Sequence, residues 1–412
     1  MNEERRKKNI RLNNWHGAAA VLNANMVYPF IGIFAITMNA SDLQIAMLSS
    51  LPALVSMAIM VPGAWLIDRQ PRKKAITAWL MLGTRAFYLV MAAVPFLPTD
   101  FRAGALVTTV ALMNIPGAVS NVAWQSFIAA VIPQASRSSA FATRSRFMSV
   151  TGVITLLFTG RLLDRIGFPV GYQVLFTGAF IIALVELYAF TRLEEEDKSD
   201  VERSAPRLGV WQMLSVIRLE GPYLRFAACS LLFHFGWQMA WPLFTRYNVS
   251  YMHANNSWIS LFSMVNTAGS FLAYPVWARL ADRKGNRYML IFATLGLASS
   301  PIWYALSRQL WHIALAQFFV GMFVAGVTLM LFSALLEVTP EANRTSFIAY
   351  YNTAINLSAT LAPVAGVSLL SRFGIYGALY IAAGMRLLGT AAFYIHSRRE
   401  RQRSRVSSSL AA

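Results

Sequence analysis

Cysteine is almost missing from this chain. Cys229 is the sole one in 412 residues, so no intramolecular disulfide can form and no cysteine metal cluster is available. Acid is scarce too, with 18 Asp and Glu against 36 Lys and Arg, too few carboxylates for a metal site. Also missing are a Gly-rich phosphate loop, a His-Glu-x-x-His pair and a Ser-His-Asp or Cys-His arrangement, so neither an enzyme nor a bound cofactor or metal is expected. Without a Walker-type lysine loop, an ATP-driven pump would need a motor on a separate chain. Charge of either sign makes up only 13% of residues, and 56% are hydrophobic, with a mean hydropathy of +0.48. That composition excludes an ordinary soluble surface and leaves lipid as the solvent for most of the chain.

What is present is a succession of apolar runs, each near the roughly 20 residues that a helix needs to cross a hydrocarbon core of about 30 Å. Runs of this length, rather than alternating segments of about ten residues, select helices over a β-barrel. Six are predicted at Trp15–Met38, Leu43–Ile67, Ala75–Leu97, Ala103–Ile132, Phe147–Leu163 and Gly171–Phe190. Six more follow at Tyr223–Phe244, Ser257–Leu280, Tyr288–Leu306, Leu310–Leu336, Ser346–Leu370 and Ile375–Ile395. The first run is too long for a signal-peptide core and is expected to stay as a helix. Between the two sets lies a polar stretch with Glu194, Glu195, Glu196 and Asp197, Pro206 and Gly209, read as a linker, with an amphipathic helix around Val210–Leu219. The expected organisation is residues 1–190 as one six-helix bundle, 191–220 as linker, 221–397 as a second bundle and 398–412 as a basic tail.

The net charge of +18 invites a nucleic-acid reading until the basic residues are placed. With a cytoplasmic N-terminus, 28 of the 36 Lys and Arg fall in the tails and in the loops on the same side, and six (Arg102, Arg161, Arg165, Arg246, Arg308, Arg372) on the other. Arg85 and Arg386 lie within spans. This asymmetry predicts both termini in the cytoplasm and a plasma (inner) membrane location, and anionic lipids rather than nucleic acid as the partner of the basic loops.

Each half carries the same landmarks in order. Ala64-Trp65-Leu66-Ile67-Asp68-Arg69-Gln70-Pro71-Arg72-Lys73 follows the second span, and Ala278-Arg279-Leu280-Ala281-Asp282-Arg283-Lys284-Gly285-Asn286-Arg287 follows the eighth, an offset of 214. Pro133-Gln134-Ala135-Ser136-Arg137 corresponds to Pro340-Glu341-Ala342-Asn343-Arg344, and Arg165-Ile166-Gly167 to Arg372-Phe373-Gly374, both offset by 207. Two parallel repeats related by an axis along the membrane normal are the organisation expected of a rocking transporter.

The Asp-Arg-x-x-x-basic turns at Asp68 and Asp282 resemble the loop motif of the major facilitator family of transporters. The second copy matches more closely, with Gly285 in place; Pro71 replaces that glycine in the first, and Ala64 and Ala278 stand where the family has a leading glycine. The resemblance implies an all-α membrane protein of twelve helices in two pseudo-symmetric bundles around a cavity that opens alternately to each side. A carboxylate at a helix end can accept from exposed N–H groups at the start of a neighbouring helix and pair with arginines. Asp68, Arg69 and Arg72, and Asp282, Arg283 and Arg287, are therefore expected to form cytoplasmic latches, Asp68 toward the eleventh span and Asp282 toward the fifth with Arg144 and Arg146.

In the resembled family, spans one, four, seven and ten line the cavity. Asn114, Asn121 and Gln125 form one stripe of the fourth span, beside Trp124; His234, Trp237, Gln238 and Trp241 form another in the seventh. Asn23, Asn25 and Tyr28 stand in the first, and Gln317 and Thr328 in the tenth. Polar groups at such depth either bind helices together or face a wet cavity. Amides with rigid aromatic faces suit an uncharged or amphipathic small organic solute. Proton coupling would need a buried titrating group, for which Glu186 and His234 are the candidates; Glu186 alternatively pairs with Arg85, and Arg386 has no partner legible in sequence. The fifth span lacks the Gly-Pro pair, and the fourth the arginine, of the family's drug–proton antiporters. The reading is a secondary carrier, monomeric, with export favoured and protons a candidate coupling ion; the alternative is a lipid flippase or a non-transporting sensor on the same fold.

Overall fold

A computed structural model of the chain describes residues 3–68, 73–131, 134–194, 217–340 and 344–410. The regular elements in them are helical, as backbone N–H and C=O groups in hydrocarbon require when each must pair within its own segment. The first half supplies α1 (Glu3–Thr37), α2 (Asp42–Asp68), α3 (Lys73–Ala93), α4 (Thr99–Val131), α5 (Gln134–Ile166) and α6 (Val170–Thr191). The second supplies α7 (Gly221–Arg246), α8 (Asn256–Lys284), α9 (Asn286–Ala298), α10 (Ser300–Leu306), α11 (Leu310–Val338) and α12 (Arg344–Leu410).

One of these boundaries differs from the hydropathy reading. The ninth span is broken at Ser299, just before Pro301, so α9 and α10 together make one crossing. The segment α12 holds two helices, the eleventh and twelfth spans, which part at a non-helical kink at Gly374, φ 67° and ψ 177°, between the two expected runs. Ten segments are long and apolar enough to cross a membrane, and one of them, Phe347–Arg399, has 53 residues, about 80 Å of helix and enough for two crossings. Adding α7, whose apolar run is interrupted by Arg225, His234 and Gln238, the described residues make twelve crossing helices.

Gly167 and Gly374 both have positive φ, 78° and 67°, and occupy matching places in the two halves. Each turns the chain where only a residue without Cβ enters the left-handed region freely, and the Gly167 N–H closes α5 on the Leu163 carbonyl at 2.8 Å. Gly285, φ 84°, does the same between α8 and α9. The repeat seen in sequence thus carries a repeated backbone requirement.

The chain divides into two compact units, Met1–Ser204 with Asn248–Met264, and Ala205–Tyr247 with Val265–Ala412. The start of α8 groups with the first unit, and α8 passes into the second at Val265. The expected amphipathic helix at Val210–Leu219 lies for the most part outside the described residues. In the first unit Phe30, Phe34, Tyr88, Leu106, Tyr172 and Phe176 pack one core, Phe34 lying 4.5 Å from the Tyr172 ring and 5.2 Å from Phe176. In the second, Tyr223, Phe226, Phe233, Trp277, Phe347 and Phe393 do the same. Trp79, Phe158, Trp311 and Leu315 stand exposed on helix faces, which suits contact with acyl chains rather than water.

Candidate functional site

Helix α6 carries Glu186 into the first unit, 3% exposed, a position where an unpaired carboxylate is not sustainable. From α3, Arg85 meets it with a two-pronged pair, Nε to Oε2 and Nη2 to Oε1, both at 3.1 Å. From α1, Asn23 donates to Oε2 at 2.6 Å. The remaining Arg85 nitrogen donates to the Tyr88 hydroxyl at 2.7 Å, and that hydroxyl lies 3.4 Å from Asn23 Oδ1. Glu186 is therefore paired with Arg85, one of the two roles open to it from sequence.

The cluster extends beyond the pair. His16 of α1, buried, places Nε2 at 3.8 Å from Glu186 Oε1 and Nδ1 at 3.4 Å from Arg144 of α5. The imidazole stacks on Trp124 of α4 at 5.8 Å and 9°, and Arg144 lies 4.6 Å from the centroid of a Trp124 ring. Five helices thus converge on one carboxylate, two guanidiniums and one imidazole. Both side-chain polar atoms of Asn13, His16 Nε2, Trp124 Nε1 and Arg144 Nε are buried with no hydrogen-bond partner among the described residues, where such groups are ordinarily satisfied.

The second unit holds a separate polar cluster. His234 Nδ1 lies 2.9 Å from the Ser230 carbonyl, its ring 5.6 Å from Trp237 and 6.5 Å from Tyr351. Tyr351 and Ser230 share a hydrogen bond. Gln238 accepts from Ser358 at 2.6 Å, and Gln317 accepts from Asn266 at 2.8 Å while donating to Tyr304 at 2.6 Å. Arg386 is 0% exposed. It donates to the carbonyls of Gly236 (3.1 Å), Trp237 (3.1 Å) and Leu297 (3.0 Å) and to Ser300 Oγ (2.6 Å), so four main-chain and hydroxyl oxygens are the partners that the sequence did not reveal.

Other expected residues fall into four groups. Asn25 donates to the Gly152 carbonyl at 3.2 Å and Asn114 to Val110 at 2.8 Å, which fastens α1 to α5 and α4 to itself. Tyr28, Asn121, Trp241 and Thr328 are exposed. The side chains of Gln125, Asp68, Arg69, Arg72 and Arg146 lie outside the described residues. Asp282 and Arg283 are exposed at the end of α8, and Arg287 pairs with Glu337 at 3.5 Å, with Asn286 donating to the same carboxylate at 2.6 Å. His16 and Asn13 were missed from sequence. Their signal was a polar stripe at the head of α1, Asn9, Asn13, His16 and Asn23, spaced four, three and seven, all buried.

The model of the Major Facilitator Superfamily matches residues 17–226 and 226–411. Among curated proteins, the chain is 26% identical over 185 residues to the Multidrug resistance protein MdtG of Serratia proteamaculans, covering 44% of this chain and 43% of the relative. It is 27% identical over 180 residues to MdtG of Citrobacter koseri, covering 43% of each. These alignments span less than half the length of either relative. Among solved structures, a mutant of the nucleoside transporter NupG superimposes with a TM-score of 0.74 at 11% identity, covering 93% of this chain and 99% of that one. A bacterial homologue of the iron transporter ferroportin, in an inward-facing state, gives 0.71 at 15%, covering 96% and 99%. At such identities the likeness concerns the fold alone. The family model, by contrast, takes in both halves: this multi-pass membrane protein belongs to the Major Facilitator Superfamily.

Proposed function

We propose that this protein exports a small amphipathic organic solute by alternating access, driven by proton exchange at Glu186. The observation that carries the reading is the convergence of α1, α3, α4, α5 and α6 on a single buried carboxylate beside His16, Arg85 and Arg144. A buried carboxylate is tolerable while Arg85 and Asn23 hold it. Any shift of α3 against α6 that parts the pair leaves a bare charge, which a proton relieves; restoring the pair expels that proton. The neighbouring donors Asn13 Nδ2, Trp124 Nε1 and Arg144 Nε have no partner among the described residues and offer hydrogen bonds to a polar group on the solute, while Trp124 supplies a flat apolar face. His234 with Trp237 is the corresponding cluster of the second unit. Export is favoured because the relatives matched over part of their length are named for multidrug resistance. The 28-to-6 distribution of basic residues supports cytoplasmic termini. The same reading keeps Asp68 and Asp282 as latches on the cytoplasmic face.

A solute screen in sealed vesicles, with and without a pH gradient, tests the proposal beside Glu186→Gln and His234→Ala. Gradient-driven flux that Glu186→Gln abolishes is the expected result. Flux indifferent to the gradient would remove proton coupling, and no flux for any organic solute would favour a lipid flippase or a sensor.

A further inference from the structure

The geometry points to Asp164 as a positioning residue of the transport cycle, a releasable clasp that holds the start of α8 against α5 on the membrane face opposite the N-terminus. The first turn of a helix exposes N–H groups with no partner of their own. In α8, Asp164 Oδ1 accepts from the Asn256 N–H at 3.0 Å and from its side-chain Nδ2 at 3.0 Å, and Oδ2 accepts from the Ser257 N–H at 2.9 Å. Asn255 takes the next, accepting from the Trp258 N–H at 3.1 Å. A carboxylate here also meets the positive end of the helix dipole.

Three further contacts align with this cap. One turn earlier in α5, Gly160 lies so close to α8 that an added Cβ would meet the Asn256 carbonyl at 2.7 Å and Ser257 Cα at 2.9 Å. One turn before that, the Leu156 carbonyl accepts from Ser260 Oγ. From α6, the Tyr172 hydroxyl donates to Asn256 Oδ1 at 2.7 Å. Residues 156, 160 and 164 are therefore one stripe of α5 seated on 256, 257 and 260.

The chemistry of the clasp suits release. Asp164 is exposed, so water can replace each bond it makes and separation leaves no stranded charge. Helix α8 starts in the first unit and passes into the second at Val265, beyond this cap. The repeat has no second copy of the clasp, because Ser371 stands at the matching position of the other half. This is the arrangement expected of the Asp68 and Asp282 loops, a carboxylate on a neighbouring helix start, found at the opposite membrane face and on a different residue.

The inference rests on the alternating-access reading, but its test needs no solute, so a failed flux screen leaves it standing. Cys229→Ala removes the chain's one cysteine, and Ser260→Cys, 4% exposed, then reports whether α8 lifts from α5. Maleimide labelling is measured on purified protein in lipid nanodiscs, where both faces meet the reagent. Adding Asp164→Ala should speed labelling about tenfold, with smaller increases for Asp164→Asn and Tyr172→Phe, as fits the loss of several hydrogen bonds to a charged acceptor. Ala123→Cys, buried elsewhere in the first unit, should not respond. Equal rates in the Asp164 and Tyr172 variants and their parent overturn the clasp. An equal rise at positions 123 and 260 overturns it too, since it would mean general loosening.

Discussion

Arg386 donates its Nε–H to the main-chain carbonyl of Gly236 at 3.1 Å, and Gly236 is the residue that lets it do so, because an added Cβ there would meet the Arg386 backbone nitrogen at 2.8 Å. A buried guanidinium held by carbonyls rather than by a carboxylate joins α7, α9, α10 and α12. Arg386→Lys keeps the charge but loses the planar fork and should destabilise the protein by about 3 kcal/mol. Arg386→Met, which removes the charge with little loss of volume, should cost less. Thermal unfolding in detergent ranks the two; the opposite order would mean that charge alone matters.

Removing Arg85 strands Glu186. Arg85→Met should lower stability by roughly 3–5 kcal/mol, and the double variant Arg85→Met with Glu186→Gln should recover most of it, since neither charge is then left unpaired. The yield of folded protein and its unfolding midpoint measure both. Additive losses would show that the pair is not one unit.

His16 touches the same carboxylate without a full hydrogen bond. His16→Gln should therefore preserve folding while changing the pH profile of solute flux, whereas Glu186→Gln should make flux independent of the pH gradient. An unaltered profile in His16→Gln would confine the histidine to packing against Trp124.

Nothing lies within 4 Å of a Cβ added at Gly167, so a substitution there meets only its backbone strain at φ 78°. Gly167→Val should cost about 1–3 kcal/mol and Gly167→Asn distinctly less, because asparagine enters the left-handed region more readily. Matched unfolding curves, repeated at Gly374, check whether both copies of the turn behave alike.

Asp68→Asn and Asp282→Asn, each reaching the membrane at normal levels, should slow solute flux severalfold if they latch the cytoplasmic face. Full activity in both would leave their loops a purely topological role.

The twelve crossings, their grouping into two repeats and the family were legible because each depends on a local or periodic property. About 20 apolar residues cross a bilayer whatever they later touch, and Gly167 and Gly374 recur at matching places because the same backbone turn recurs. Much of the candidate site was not legible in that way. The stripe of Asn114 in α4 was visible, yet its amide turned back to its own Val110 carbonyl, and a helical wheel cannot say which neighbour a side chain will choose. His16, at the start of the first span, acquires its meaning only when α5 and α6 bring Arg144 and Glu186 to it.

Hydropathy and spacing therefore sufficed to say that this chain crosses the membrane twelve times and repeats itself, since lipid imposes those features segment by segment. Packing alone assigned the partners of Glu186, Arg386 and Asp164. Those assignments join residues 101, 150 and 92 positions apart, and an ion pair or a helix cap at such separation exists only once helices have docked.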